Sequence, residues 1–464
     1  MREVLHARSI AVIGASATPT KSGHILLRNL IEHGYPGAIY PVHPTAQELL
    51  GRRAYRSISQ LPETPDLAII VVPRERVLPI VKQCEARGVR AVVVVSAGFS
   101  EADAEGKALE QELKEVLQRS GMRALGPNTV GFANAAGKLV ASFVPMSRWR
   151  DGGVALAGQS GLFAGGLIHE LMSRETPPLG IRFSLSFGNK IDLDEVDFLA
   201  LAAEEPGIRV IGLHLESFRR PREFLYLARR ISARIPIVVL KTGRTEEGAR
   251  AAASHTAALA LEDTVLDGAL RQANIVRASS VEELIALLRA FERGPLPAGP
   301  GVGVLTHSGA SGVMACDELS EAGLALARLE SATENRMRAL VPHWHRVGNP
   351  ADLWLAEGSA PRCALEVPLF ALLADPGVDI VLCVLLAIPA TDFAEVGDVL
   401  REARRDYPGK PLHFVLYGGE VKQRWQRVLE ELDIPVETDL RLPIRAMQAM
   451  VDYRSRRTRA NPWN

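Results

Sequence analysis

The stretch KTGRTEEGARAAASHTAALAL, residues 241–261, places one histidine, His255, between Ser254 and Thr256. A basic, small-residue loop leads into it, and an acid-flanked helical pattern begins near Glu262. Upstream, Glu216 ends the buried-looking strand VIGLHLE. A carboxylate beside an imidazole accepts one ring N–H and fixes the tautomer. It also supports positive charge on the ring while the other nitrogen attacks phosphorus. Alone, His255 reads as a surface histidine and Glu216 as a solvated strand-end acid. Set among loops shaped for phosphorylated ligands, the pair points to a histidine that carries a phosphoryl group.

Those loops follow strands. The first strand ends in Gly14-Ala15-Ser16, and Lys21-Ser22-Gly23 opens the helix HILLRNLIEHG. A strand, a small-residue turn and a helix start make a phosphate site, because free N–H groups and the helix dipole face the anion. The pattern is not G-x-G-x-x-G, since Ser16 stands at the second glycine. The next strand, AIYPVHP, also ends without the acid that would hold a nicotinamide ribose. A nucleotide-type fold is therefore expected and NAD is disfavoured; the plain alternative is such a domain with no ligand. Val72-Pro73, the run Ser96-Ala97-Gly98-Phe99-Ser100-Glu101 and Gly126-Pro127-Asn128-Thr129 also follow strand ends. In an open parallel sheet such loops converge on one cleft. Further on, Gly158-Gln159-Ser160-Gly161 forms a second turn into a helix, suited to an oxyanion.

Other clusters have plain readings. Asp192, Asp194 and Asp197 could bind a metal, but read equally as caps and first-turn acids of the helix DEVDFLALAAEE. His343-Trp344-His345 has ligand-like spacing without a third ligand, so no metal site is expected. His307 lies in the turn THSGASG and reads as a helix cap.

These residues need a scaffold. Short β-branched runs alternate with helical patterns, as in SIAVIG, LAIIVVP, RAVVVVSAG, IPIVVLKTG, GVGVLTHSG and DIVLCVLLA. Continuous apolar runs fit parallel strands buried on both faces, linked by right-handed βαβ units. Breaks at 143–153 and 291–301 cut the 464 residues into three α/β, doubly wound domains, 1–145, 146–295 and 296–464. Hydrophobic residues make up 47%, enough for large cores. With 54 basic and 54 acidic residues there is no global field for nucleic acid or an anionic membrane. The cysteines, at 84, 316, 363 and 383, show no C-x-x-C spacing and read as reduced thiols. The start MREVLHARSIAVIG has no signal-peptide core, and no apolar run is long enough to span a membrane, so a cytoplasmic protein is expected.

The ordered pieces IAVIGAS…KSGHILLRNL, IYPVHP, VVSAGFSE, LGPNTVGFAN, GQSG, SFGNKIDLDEVDFL, LHLES, LKTGR and ASHTAALA resemble the α subunits of the NDP-forming acyl-CoA synthetases. This family includes ADP-forming acetyl-CoA synthetase and succinyl-CoA synthetase. LTHSGASGVMACDELSEAGL and GNPADLW extend the resemblance over essentially the whole chain. It implies a Rossmann-like CoA-binding domain followed by two flavodoxin-like domains. It also implies an acid–CoA ligase that interconverts acyl-CoA, phosphate and ADP with the carboxylic acid, CoA and ATP. By resemblance, His255 is the phosphohistidine, Glu216 its orienting carboxylate, and Gln159, Ser160 and Gly161 the phosphate-holding helix start. Coenzyme A would lie on Gly14, Ala15, Ser16, Lys21, Ser22, Gly23, Pro73, Ser96, Ala97, Gly98, Phe99 and Asn128. No ATP-grasp domain is apparent in the sequence. A separate β subunit is therefore expected to hold Mg²⁺ with ADP or ATP, in an α2β2 assembly.

The chain departs from the family pattern at three places. Ala257 and Leu261 replace glycines around the histidine, His43-Pro44-Thr45 replaces Asn-Pro-Lys, and Thr129 stands where cysteine is common. Two rivals follow: a CoA-binding regulatory homologue without turnover, and an NAD-dependent oxidoreductase.

Overall fold

The computed structural model describes residues 1–146, 149–173, 179–248, 250, 262–353, 361–387 and 393–459. They form two compact units, Met1–Ser279 and Ser280–Asn464.

The first unit holds two large sheets. The first sheet uses β1 (Ser9–Ile13), β2 (Ala38–Val42), β5 (Leu67–Ile70), β6 (Ala91–Val94) and β7 (Arg123–Leu125), with the small hairpin β3 (Glu48–Leu49) and β4 (Arg52–Arg53) beside it. Its order is β2-β1-β5-β6-β7 and every pairing is parallel. The chain steps from β1 to β2 on one side, then returns to β5 on the other. That reversal opens a crevice beyond the carboxyl ends of β1 and β5. The apolar runs are strands because both faces are covered: every residue of β1, β5 and β6 is buried.

The second sheet uses β8 (Gly131–Asn134), β9 (Leu139–Ser142), β10 (Val154–Gly158), β11 (Ile181–Ser186), β12 (Val210–Leu215), β13 (Ile237–Lys241) and β14 (Val276–Ala278). Its order is β14-β13-β12-β10-β11-β8-β9. Its switch point lies between β10 and β12. The strands β10 to β14 are parallel, whereas β8 and β9 form an antiparallel hairpin on the β11 edge. Those two strands lie within residues 1–145 yet pair with the second sheet. The four-residue runs GFAN and LVAS are too short to declare a strand by pattern. Asn134 closes their turn, accepting from Gly137 N at 3.2 Å and donating to Leu5 O at 2.9 Å.

The second unit is built on β15 (Gly301–Thr306), β16 (Ala325–Leu326), β17 (Ala351–Asp352), β18 (Ile380–Leu386), β19 (Leu412–Tyr417) and β20 (Val436–Glu437). The order is β16-β15-β18-β19-β20, with β17 also paired to β15, and all pairings are parallel. Helix Val281–Arg293 belongs to this unit. Its Arg289 reaches Glu437 at 3.0 Å, and Phe291 meets Tyr453 edge-on at 5.5 Å. Buried Cys84 has its thiol pushed up to about 12 by burial, and burial likewise raises Cys383. Among the described residues no helix is long and apolar enough to cross a membrane.

Candidate functional site

The loops after β1, β5, β6 and β7 meet at one end of the first sheet. Gly14 takes φ +94°, and a Cβ there would lie 2.1 Å from Val71 O, so only glycine lets β1 turn beside β5. Ser16 is buried and its Oγ accepts from Thr18 N at 3.1 Å, closing the turn. Helix Ser22–Glu32 then starts after Lys21 with no side-chain cap. Ser96 ties β6 to β5: its Oγ donates to Val72 O at 2.5 Å and accepts from Val72 N at 3.2 Å. Glu101 Oε1 accepts from Gly98 N at 2.7 Å and Phe99 N at 3.2 Å. Asn128 N donates to Ser96 O at 2.9 Å. Pro73 and Ala97 are exposed at the rim, and Phe99 is buried beneath it. His43 organises its own turn, accepting at Nδ1 from Thr45 and Ala46 N–H groups.

The second cluster sits at the switch point of the second sheet. Gln159 leaves β10, and Glu216 and Ser217 leave its neighbour β12. Buried Gln159 accepts at Oε1 from Glu216 N at 3.0 Å and Ser217 N at 3.1 Å, and its Nε2 donates to Ser217 Oγ at 3.2 Å. Gly161 then opens a π-helical turn, Leu162–Leu167, with no side-chain cap, continued by helix Ile168–Ser173. A helix start without a side-chain cap can offer N–H groups to an oxyanion.

Sequence reading missed two buried lysines here. Lys190 Nζ donates to Ser217 O at 2.6 Å and pairs with Glu195 Oε2 at 3.0 Å, deep enough that burial lowers its pKa against the pull of Glu195. Lys241 ends β13 and donates to Thr242 O; burial and nearby Arg277 lower its pKa. Below them His214 stacks on Phe163, with centroids 4.6 Å apart, and burial with Lys241 holds its pKa down to about 4. The one sequence signal was a lysine near a strand end, in FGNK after β11 and in LKTG at the end of β13.

His255, with Ala257 and Leu261, lies outside the described residues. The acids take the plain reading. Asp194 caps helix Glu195–Glu204 and pairs with Arg220, while Asp192 binds Arg123 at 2.9 Å. His345 Nε2 bonds to Asp352 O at 2.7 Å. Ser308, not His307, supplies the cap of helix Gly309–Glu321. Among the described residues no group of three His, Cys, Asp or Glu could hold a metal ion.

Two family models match: a CoA binding domain over residues 8–135 and a succinyl-CoA ligase-like flavodoxin domain over residues 151–291. The α subunit of ADP-forming acetate–CoA ligase II from Pyrococcus furiosus is 35% identical over 92% of this chain and 92% of its own length. The α subunit of isoenzyme I from the same organism is 34% identical over 98% and 97%. ADP-forming acetate–CoA ligase II of Archaeoglobus fulgidus is 34% identical over 98% of this chain, which spans 67% of that protein. Among solved structures, acetyl-coenzyme A synthetase 1 of Ca. Korarchaeum cryptofilum, in complex with phosphate and ADP, superposes with a TM-score of 0.90. It is 33% identical and covers 98% of each chain.

Proposed function

The chain belongs to the family of ADP-forming acetate–CoA ligases, and on that premise we propose that it is the α subunit of an acid–CoA ligase that works through a phosphohistidine. The reaction is acyl-CoA + Pi + ADP ⇌ carboxylic acid + CoA + ATP. Phosphate oxygen attacks the thioester carbonyl and CoA leaves as thiolate, giving an acyl phosphate. His255 then attacks phosphorus, the P–O bond breaks and the carboxylate leaves. The phosphoryl group passes from nitrogen to ADP, which with Mg²⁺ is assigned to an ATP-grasp β subunit, in an α2β2 complex. Nothing among the described residues of this chain provides a metal cage for that ion.

The residues present fit an anionic ligand such as CoA. Gly14–Ser16, the helix start at Lys21–Gly23, Pro73, Ser96–Phe99 and Asn128 would hold it at the crevice of the first sheet. The close approach of Gly14 to Val71 admits no side chain and fixes the tight turn that would lead to the diphosphate-holding helix start. Gln159, Ser160 and Gly161 would hold phosphate. Glu216 would orient the imidazole of His255 and support its charge. Positioning and stabilisation of developing oxyanions supply the catalysis. The observation that carries the reading is the Gln159–Glu216 pairing at the switch point, beside the uncapped helix start.

The test is labelling with γ-labelled Mg-ATP in the presence of a separately produced β subunit. Acid-labile, alkali-stable label is expected on His255. His255→Ala should abolish it, and Glu216→Gln should slow turnover by roughly 10²-fold, on the scale of general catalytic groups. Full labelling of folded His255→Ala would overturn the assignment.

A further inference from the structure

Asn189 and Lys190 are consecutive residues in the turn after β11, and their side chains serve different clusters. Asn189 Nδ2 donates to Glu101 Oε2 at 2.6 Å, and lies 3.0 Å from Glu110 Oε2 and 3.4 Å from Ser100 Oγ. The other oxygen of Glu101 holds the Gly98 and Phe99 N–H groups of the first cleft. Lys190 Nζ holds Ser217 O at 2.6 Å, and its partner Glu195 accepts from Arg219 N at 2.7 Å through Oε1. The turn that carries Glu216 is thus gripped from this side by Lys190 and Glu195, and from the other by Gln159.

The backbone between the two side chains is pinned. Gly188 takes φ +60°, and a Cβ there would sit 2.1 Å from Pro127 O, while Asn189 N donates to that same oxygen at 2.9 Å. Lys190 is itself left-handed, at φ +56°. Little slack remains, so a shift at either side chain is felt at the other. Asn189 has two amide hydrogens and three acceptors in reach, two of them carboxylate oxygens. A ligand anion that takes the Gly98 or Phe99 N–H must push Glu101 back and redistribute those bonds.

We infer that Asn189 and Lys190 are positioning residues that couple occupancy of the CoA crevice to the order of the turn bearing Glu216. The inference rests on the functional reading above and adds communication between its two sites. It requires a reciprocal change in affinity, because coupling between two sites is symmetric in binding free energy.

Two measurements on the full chain decide it. The first is calorimetric titration of CoA with and without saturating inorganic phosphate. The wild-type ratio of dissociation constants should differ from one by about fivefold or more, the usual range for coupled sites. Asn189→Ala and Lys190→Met should each bring the ratio to within about twofold of one, and the double variant should do no more, as expected of residues acting as a unit. A wild-type ratio of one, or a ratio that survives both substitutions, overturns the coupling. The second is hydrogen exchange with no ligand present. Asn189→Ala should speed exchange at Glu216 and Ser217, and Lys190→Met at Gly98 and Phe99, by about tenfold. Exchange that changes only on each residue's own side overturns it equally. If Lys190→Met fails to fold because buried Glu195 loses its partner, Lys190→Met combined with Glu195→Gln replaces it. A chain that binds no CoA would sink the functional reading, while the exchange data would still decide the positioning role.

Discussion

His214 shows how burial fixes a protonation state near the proposed phosphoryl-transfer turn. Its ring lies against Phe163 and near Lys241, and burial first, the lysine second, depress its pKa to about 4. The unfolded value is near 6.5, so between these limits the folded state binds less proton than the unfolded. Stability is present above about 6.5 and is lost as pH falls towards 4. His413, buried and close to Arg289, behaves alike in the other unit. Carboxylates with lowered values, such as Asp194 beside Arg220, titrate at lower pH and lose their contribution below this window. Thermal unfolding followed from pH 8 to 4.5 should therefore show a fall that His214→Leu flattens in the first unit; an unchanged slope would remove His214 as its source. Buried roles of this kind were not legible. Glu216 and Gln159 were candidates because they stand directly after strands, where ligands gather. Lys190, in the turn after β11, and Lys241, the last residue of β13, also lie near strand ends, but a lysine in a sequence reads as solvated. Only the meeting of the loops after β7, β11 and β12 encloses Lys190, and no local pattern reports that meeting.

At the scale of elements, the parallel strands were readable because burial on both faces leaves continuous apolar runs. The hairpin β8–β9 was not: its strands are four residues each, and their pairing with β11 is set by tertiary contact. Helix Val281–Arg293 precedes the Pro/Gly-rich break at 291–301 yet belongs to the later unit. Its charged residues Glu283, Arg289 and Arg293 are buried against that unit rather than exposed. In the proposed function the β1 turn is the element on which ligand choice depends. Gly14→Ala places a methyl against Val71 O at a positive φ, so the strand end or the turn must shift. A loss of roughly 1–3 kcal/mol in stability is expected from such strain. CoA affinity should fall together with it, since the donors of the helix start move with the turn. Wild-type protein should bind CoA and not NAD, because β2 runs into Val42-His43 with no acid for a ribose. Calorimetry showing NAD binding tighter than CoA, or Gly14→Ala with undiminished CoA affinity, would contradict this account of the turn.

At the scale of the molecule, the proposed ligand crevice belongs to the first sheet and the proposed phosphoryl-transfer turn to the second, and both lie in the unit Met1–Ser279. The chain aligns with nearly all of the two Pyrococcus furiosus α subunits but with only 67% of the Archaeoglobus fulgidus ligase. The proposed function assigns nucleotide chemistry to a further polypeptide. A phosphohistidine fits such a division, since splitting the transfer through an N–P bond lets one acyl-phosphate site serve a distant nucleotide. The residues leading to His255, Arg244-Thr245-Glu246-Glu247-Gly248, are polar with one glycine, as a segment that delivers a side chain between sites needs. The purified 464-residue chain, given acyl-CoA, phosphate and ADP, should therefore form no ATP at steady state. It should still exchange labelled phosphate into acyl phosphate, because that half-reaction needs only the crevice and the Gln159–Gly161 turn. Adding the β subunit should start ATP formation, with a stoichiometry of one β per chain, and His255→Ala should stop ATP formation while sparing the phosphate exchange. Sustained ATP synthesis by the single chain would place a nucleotide site on it and end the proposed division.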